Sequence, residues 1–96
     1  MQTYSLTNEA DNDLVNIFNY GIEHFGVDVA LQFYHDLNRT LDTIAAKPEH
    51  YPKCDEILPS YRRAVFKSYS IYFIVRDEFV EISRVLRKEH LTVLLT

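Results

Sequence analysis

Seven basic side chains lie beyond residue 60, namely Arg62, Arg63, Lys67, Arg76, Arg84, Arg87 and Lys88, with His90 just after them. The planar fork of arginine makes paired bonds to carboxylates and is favoured at protein interfaces. Arg62, Arg63 and Arg84 are therefore the first candidates for holding a partner, and Arg87, Lys88 and His90 form a second basic cluster near the C-terminus. Other reactive groups are sparse. The one thiol, Cys54, and the four scattered histidines have no metal-ligand spacing. Cys54 reads as a small buried or half-buried residue in a loop, and no metal or cofactor is expected. His24, His35 and His50 fall on helix faces or in a loop and receive no role. Tyr69 and Tyr72 lie on strands, where aromatics can stack on bases but more commonly pack.

Charge is divided unevenly. Residues 1–60 hold ten acids against three basic groups, and residues 61–96 hold four against seven, so the two parts carry −7 and +3 of a net −4. An excess of three is weak for phosphate-backbone binding, which goes with strongly basic domains. A protein target fits better than direct, sequence-specific nucleic-acid binding. The 96 residues suit a single domain spanning 1–96, with one core and no deep substrate cavity. The longest apolar run, near Ile71 to Val75, is too short to cross a membrane, and the N-terminus lacks the basic and apolar regions of a secretory signal. A cytoplasmic protein is expected.

Positioning these residues falls to a predicted meander of three strands, Tyr61 to Phe66, Tyr69 to Arg76 and Phe79 to Val85, rich in Val, Ile, Tyr and Phe and joined by Lys67-Ser68 and Asp77-Glu78. The middle strand is apolar on both faces, with Ile71, Phe73 and Val75 on one and Tyr72 and Ile74 on the other, which places it at the centre of a sheet. Gln2 to Leu6 is too short to stand alone and should pair onto a sheet edge. Thr7 is the expected N-cap of a first helix, with acids in its first turns and Ala10, Leu14, Ile17, Phe18, Ile22 and Phe25 on one stripe. Gly21 within it suggests a close neighbour, and Gly26 ends it. A second helix, from Val27 or Asp28 to Ala46 or Lys47, turns Ala30, Phe33, Tyr34, Leu37, Leu41, Ile44 and Ala45 inward. Such short separation forces the helices into an antiparallel hairpin that needs a sheet to cover. Pro48 to Ser60 is a proline-rich loop anchored by Tyr51, Ile57 and Leu58, and the residues after Val85 form a tail. Arg84 shares the parity of Val80 and Ile82, which turns it toward the core side and an acid such as Asp13.

Several fragments occur in a specific order over nearly the whole chain: Tyr4-Ser5-Leu6-Thr7 with Ala10 and Asp13-Leu14, Phe25-Gly26 with Ala30, Ala46-Lys47-Pro48, Cys54-Asp55-Glu56-Ile57 before Tyr61-Arg62-Arg63, Tyr69-Ser70-Ile71-Tyr72-Phe73, and Ile82-Ser83-Arg84-Val85-Leu86. In these the chain resembles the ParE branch of the RelE/ParE toxins of bacterial toxin–antitoxin modules. The resemblance implies an α+β fold, inhibition of DNA gyrase by a non-catalytic toxin, and neutralisation by a cognate ParD-like antitoxin. The alternatives it leaves open are a RelE-type ribosome-dependent endoribonuclease and a degenerate antitoxin-binding module. Ribonuclease action needs a base for the 2′-hydroxyl, an acid for the leaving oxygen and cations around the phosphate. Arg63, Arg84, Arg87, Lys88, His90 and Glu56 supply the types without a convergent spacing. Many relatives have a histidine immediately after the Arg-Val-Leu segment, whereas Arg87 stands there in this chain.

Overall fold

The computed structural model describes residues 3–55 and 58–87. In chain order these form β1 (Thr3–Leu6), α1 (Asn8–Phe25), α2 (Val27–Ala46), a 3-10 turn at Pro48–His50, β2 (Arg62–Phe66), β3 (Tyr69–Val75) and β4 (Phe79–Arg87). The strands make one sheet in the order β1-β4-β3-β2. The expected meander is present, and β1 joins its outer edge parallel to β4 from Thr3 opposite Phe79 to Leu6 opposite Ile82. β3 ends one residue earlier than the sequence suggested, and β4 runs two further, through Leu86 and Arg87. The expected contributions of Gln2 to β1 and of Ile57 to anchoring the loop lie outside the described residues.

Helix boundaries follow the local chemistry. The Thr7 hydroxyl accepts the Ala10 amide at 3.1 Å, and Glu9 and Asp11 sit in the first turn. That arrangement satisfies an otherwise unpaired amide and places negative charge at the positive end of the helix. Gly26 has φ +90° and ψ 166°, a conformation that side chains resist, and its amide bonds back to Ile22 as the chain reverses. The helices approach closely at Gly21, since an added Cβ would lie 3.3 Å from that of Ala30.

The hairpin lies across one face of the sheet. Ala10 and Leu14 of α1 and Leu37, Leu41 and Ile44 of α2 meet Ile71 and Phe73 of β3 and Val80, Ile82 and Val85 of β4 in the main core. Ile17 and Phe33 pack against this core while staying partly exposed. On the opposite face Tyr72, Leu86 and Cys54 are buried beside Tyr61, so the thiol is a packed loop residue as expected. Tyr51 anchors the loop by setting its ring edge-on to Phe73, with centroids 5.9 Å apart.

Tyr4 packs against the core from β1. Burial first, then the negative field of Asp42 and the neighbouring Tyr34, push its phenol above the ordinary value of 10.0. The folded state thus holds this proton more tightly than the unfolded chain, so stability is steady below about pH 10 and falls as pH rises through the folded value. Urea titrations between neutral and strongly alkaline pH should show this decline, and Tyr4→Phe should make it shallower. A Tyr4→Phe protein with an unchanged alkaline slope would remove Tyr4 as its source.

Candidate partner-binding surface

Of the three leading arginines, Arg84 is tied up inside the fold. β1 covers β4 only as far as Ile82, after which the chain leaves the sheet: the Thr7 amide bonds Ile82 O at 3.0 Å and the Thr7 hydroxyl donates to Ser83 O at 2.9 Å. One extra residue, Ser83, bulges β4 at this point, because Ile82 lies opposite Phe73 while Arg84 already lies opposite Tyr72. Asp13 of α1 fills the edge that β1 leaves open. Its carboxylate accepts Arg84 Nε at 2.8 Å, Arg84 Nη2 at 3.0 Å and the Val85 amide at 2.9 Å. The Arg84–Asp13 pair suggested by the sequence therefore exists, but the parity argument for it does not hold. The bulge places Arg84 on the face of Tyr72, away from that of Ile82, and Asp13 reaches it around the strand edge. The hydrogen bonds it donates to Asp13, opposed by burial and aided by the charges of Asp13 and Glu9, make the guanidinium hold its proton more firmly than usual.

The remaining candidates divide by their contacts. Arg62 Nη1 donates to Tyr51 O at 2.6 Å and so fastens the loop to β2. Arg87 lies over the Tyr69 ring, 5.8 Å from its centre. Arg76, which the sequence did not single out, pairs with Glu81 at 3.3 Å across the β3–β4 turn. Arg63 is half-buried at the other edge of the sheet, and its amide bonds Pro52 O at 3.1 Å. Lys88 and His90 lie outside the described residues, as does Glu56. Among the described residues, no group of three or more His, Cys, Asp or Glu side chains is placed to hold a metal ion, and no helix is long and apolar enough to cross a membrane.

The largest departure from expectation is apolar. A cavity of about 330 Å³ opens between the hairpin and the β2–β3 turn, walled by Ile17, Phe18, Tyr20, Phe33 and Tyr34, with Ser68 and Arg87 at the sheet side. Beside it the hairpin tip exposes Phe25 (64%), Val29 (55%), Val27 (53%), Tyr20 (47%) and Leu31 (42%). The expected burial of Phe25 is thus incorrect, because the sheet ends short of the tip and cannot cover it. A signal was available: Val27, Val29 and Leu31 are apolar positions outside the inward stripe of α2, more than the sheet can cover. Tyr20, Phe25 and Val29 border the cavity itself, and exposed apolar surface of this kind is suited to being covered by a partner.

These features define a small α+β protein with a helix hairpin on a four-stranded sheet and a surface suited to a protein partner. The family described as "ParE toxin of type II toxin-antitoxin system, parDE" matches residues 4–91, and the chain belongs to that family. It is 33% identical to Toxin ParE1 of Mycobacterium tuberculosis (strain H37Rv) over 86 residues, covering 88% of each chain. It is 31% identical to Toxin ParE1 of Caulobacter vibrioides over 88 residues, covering 92% of this chain and 91% of the relative. The fold also matches a chain of the chromosomal ParDE TA system from P. aeruginosa with a TM-score of 0.79 and 20% identity, over 91% of this chain and 96% of the other.

Proposed function

We propose that this chain is a cytoplasmic toxin that arrests growth by inhibiting DNA gyrase without catalysing a reaction, and that a cognate ParD-like antitoxin silences it. Family membership across residues 4–91 carries the reading. The apolar cavity and tip support the antitoxin part, since a flexible segment that orders on binding can place apolar side chains there. The non-catalytic part is supported by Arg84, whose guanidinium is engaged by Asp13 in paired bonds and so is not displayed to hold a phosphate. Arg63, Arg87, Lys88 and His90 remain the proposed partner-facing cations, and Arg62 and Arg84 serve the fold first.

Purified toxin in excess should block supercoiling of relaxed plasmid by gyrase and ATP, and equimolar antitoxin should restore it. Normal supercoiling at a large excess of folded toxin would remove gyrase as the target. Codon-positioned mRNA cuts in a translation extract would put the ribonuclease reading in its place.

A further inference from the structure

In the strand order, β2 is an edge, and among the described residues only its first half has a neighbouring segment. Lys53 bridges antiparallel to Arg62, and the Arg63 amide bonds Pro52 O at 3.1 Å, so the loop acts as a short neighbouring strand along the first residues of β2. That bond fixes the geometry of the rest. The Arg63 amide points away from β3, and backbone direction repeats every second residue, so the amide and carbonyl of Val65 also point outward. Val65 is 50% exposed, and an open groove of about 600 Å³ runs between it and α2, with Asp36, Arg39, Thr40 and Thr43 on the far wall and Lys67 on the near one.

Charge decides what can add there. Arg63 and Lys67 stand two residues either side of Val65. Asp36, the acid of the groove, lies 3.8 Å from Arg39, and Glu81 and Asp13 engage Arg76 and Arg84, whereas Lys67 has the Phe66 ring, 5.6 Å from its ammonium, as its neighbour. Lys67 also holds φ +54°, a turn conformation that glycine would adopt without strain, so a cation occupies a position the backbone alone would not favour. A second copy is a poor occupant: antiparallel pairing about Val65 would oppose Arg63 of one chain to Lys67 of the other, twice, and like charges facing across strands are destabilising. The same cations attract a strand of opposite sign.

We propose that the edge of β2 at Val65, unpaired among the described residues, is a strand-addition site for an extended segment of a protein partner that carries acidic residues two positions either side of an apolar one. Backbone bonds to Val65 supply the docking point, and Arg63 and Lys67 select the sequence. This deepens the reading above and rests on it only in requiring a protein partner.

The test titrates the isotope-labelled full chain with a capped peptide, Thr-Glu-Thr-Val-Thr-Glu-Thr, and with its counterpart carrying Lys for Glu. The acidic peptide should shift the Val65 amide and slow its hydrogen exchange, and the basic one should not. Val65→Pro removes the outward amide without breaking a β2–β3 ladder bond, which an edge strand tolerates, and should weaken binding about tenfold, the equivalent of one hydrogen bond of ~1.4 kcal/mol. The double variant Arg63→Glu with Lys67→Glu, which leaves the backbone untouched, should reverse the preference between the peptides. Equal binding of both peptides, an unmoved Val65 amide, or undiminished binding by folded Val65→Pro overturns the proposal. Calorimetry with the cognate antitoxin separates the two readings. Full-strength antitoxin binding by both variants sinks the edge site and leaves the antitoxin reading standing. Absence of antitoxin binding by the unaltered chain, with the peptide response intact, does the reverse.

Discussion

Phe73→Ala should lower the unfolding free energy by about 3–5 kcal/mol, the usual cost of emptying a fully packed aromatic site. Phe73 is 0% exposed. It lies opposite Arg62 on β2 and Ile82 on β4, and the Tyr51 ring meets its face edge-on. Collapse into the vacated space is resisted from both sides, because the flanking strands are held by their ladders and the helices above by Leu37 and Leu41. A domain of this size is stable by only about 5–15 kcal/mol, so the loss should be plain in a urea melt. Phe25→Ala is the natural comparison. That side chain is 64% exposed at the hairpin tip, and its removal should change stability by no more than about 0.5 kcal/mol. Equal midpoints for the two variants would mean that the hairpin does not pack on the sheet as described.

Asp13→Ala should cost about 3 kcal/mol, within the range for breaking a partly buried pair and orphaning a backbone donor. The Asp13 and Arg84 side chains are 13% and 25% exposed, so the pair is only partly hydrated. The loss has two parts. The guanidinium keeps its charge with its paired acceptor removed, and the Val85 amide, at an edge that β1 does not reach, is left without its bond. Asp13→Asn separates them, since its carbonyl oxygen can still accept the Val85 amide but cannot match the guanidinium fork; about half the loss should remain. Thermal or urea unfolding should rank the proteins unaltered, then Asn, then Ala. An Asp13→Ala protein as stable as the parent would show that the edge contact is incidental.

By itself the sequence determined the elements and their order. Thr7, Gly26 and Pro48 mark helix ends because their effects on the backbone are local, and the spacings of Leu14, Leu37, Leu41 and Ile71 reveal inward faces because periodicity is a property of each segment alone. The resemblance in those same segments was enough to indicate the family. Only the tertiary structure decided how the segments share residues. The bulge at Ser83 is a mismatch between two strands and exists only in their pairing, so it changed the face of Arg84 without any mark in the β4 sequence. Arg62 and Arg63 are chemically identical neighbours, yet one is bound to Tyr51 O and the other carries its charge at the open edge, because the loop covers β2 only through Arg63. The fate of Phe25 likewise depends on how far the sheet extends beneath the hairpin. Local sequence sets which face of a helix is apolar, and the finite area of the opposing layer sets how much of that face is left for a partner.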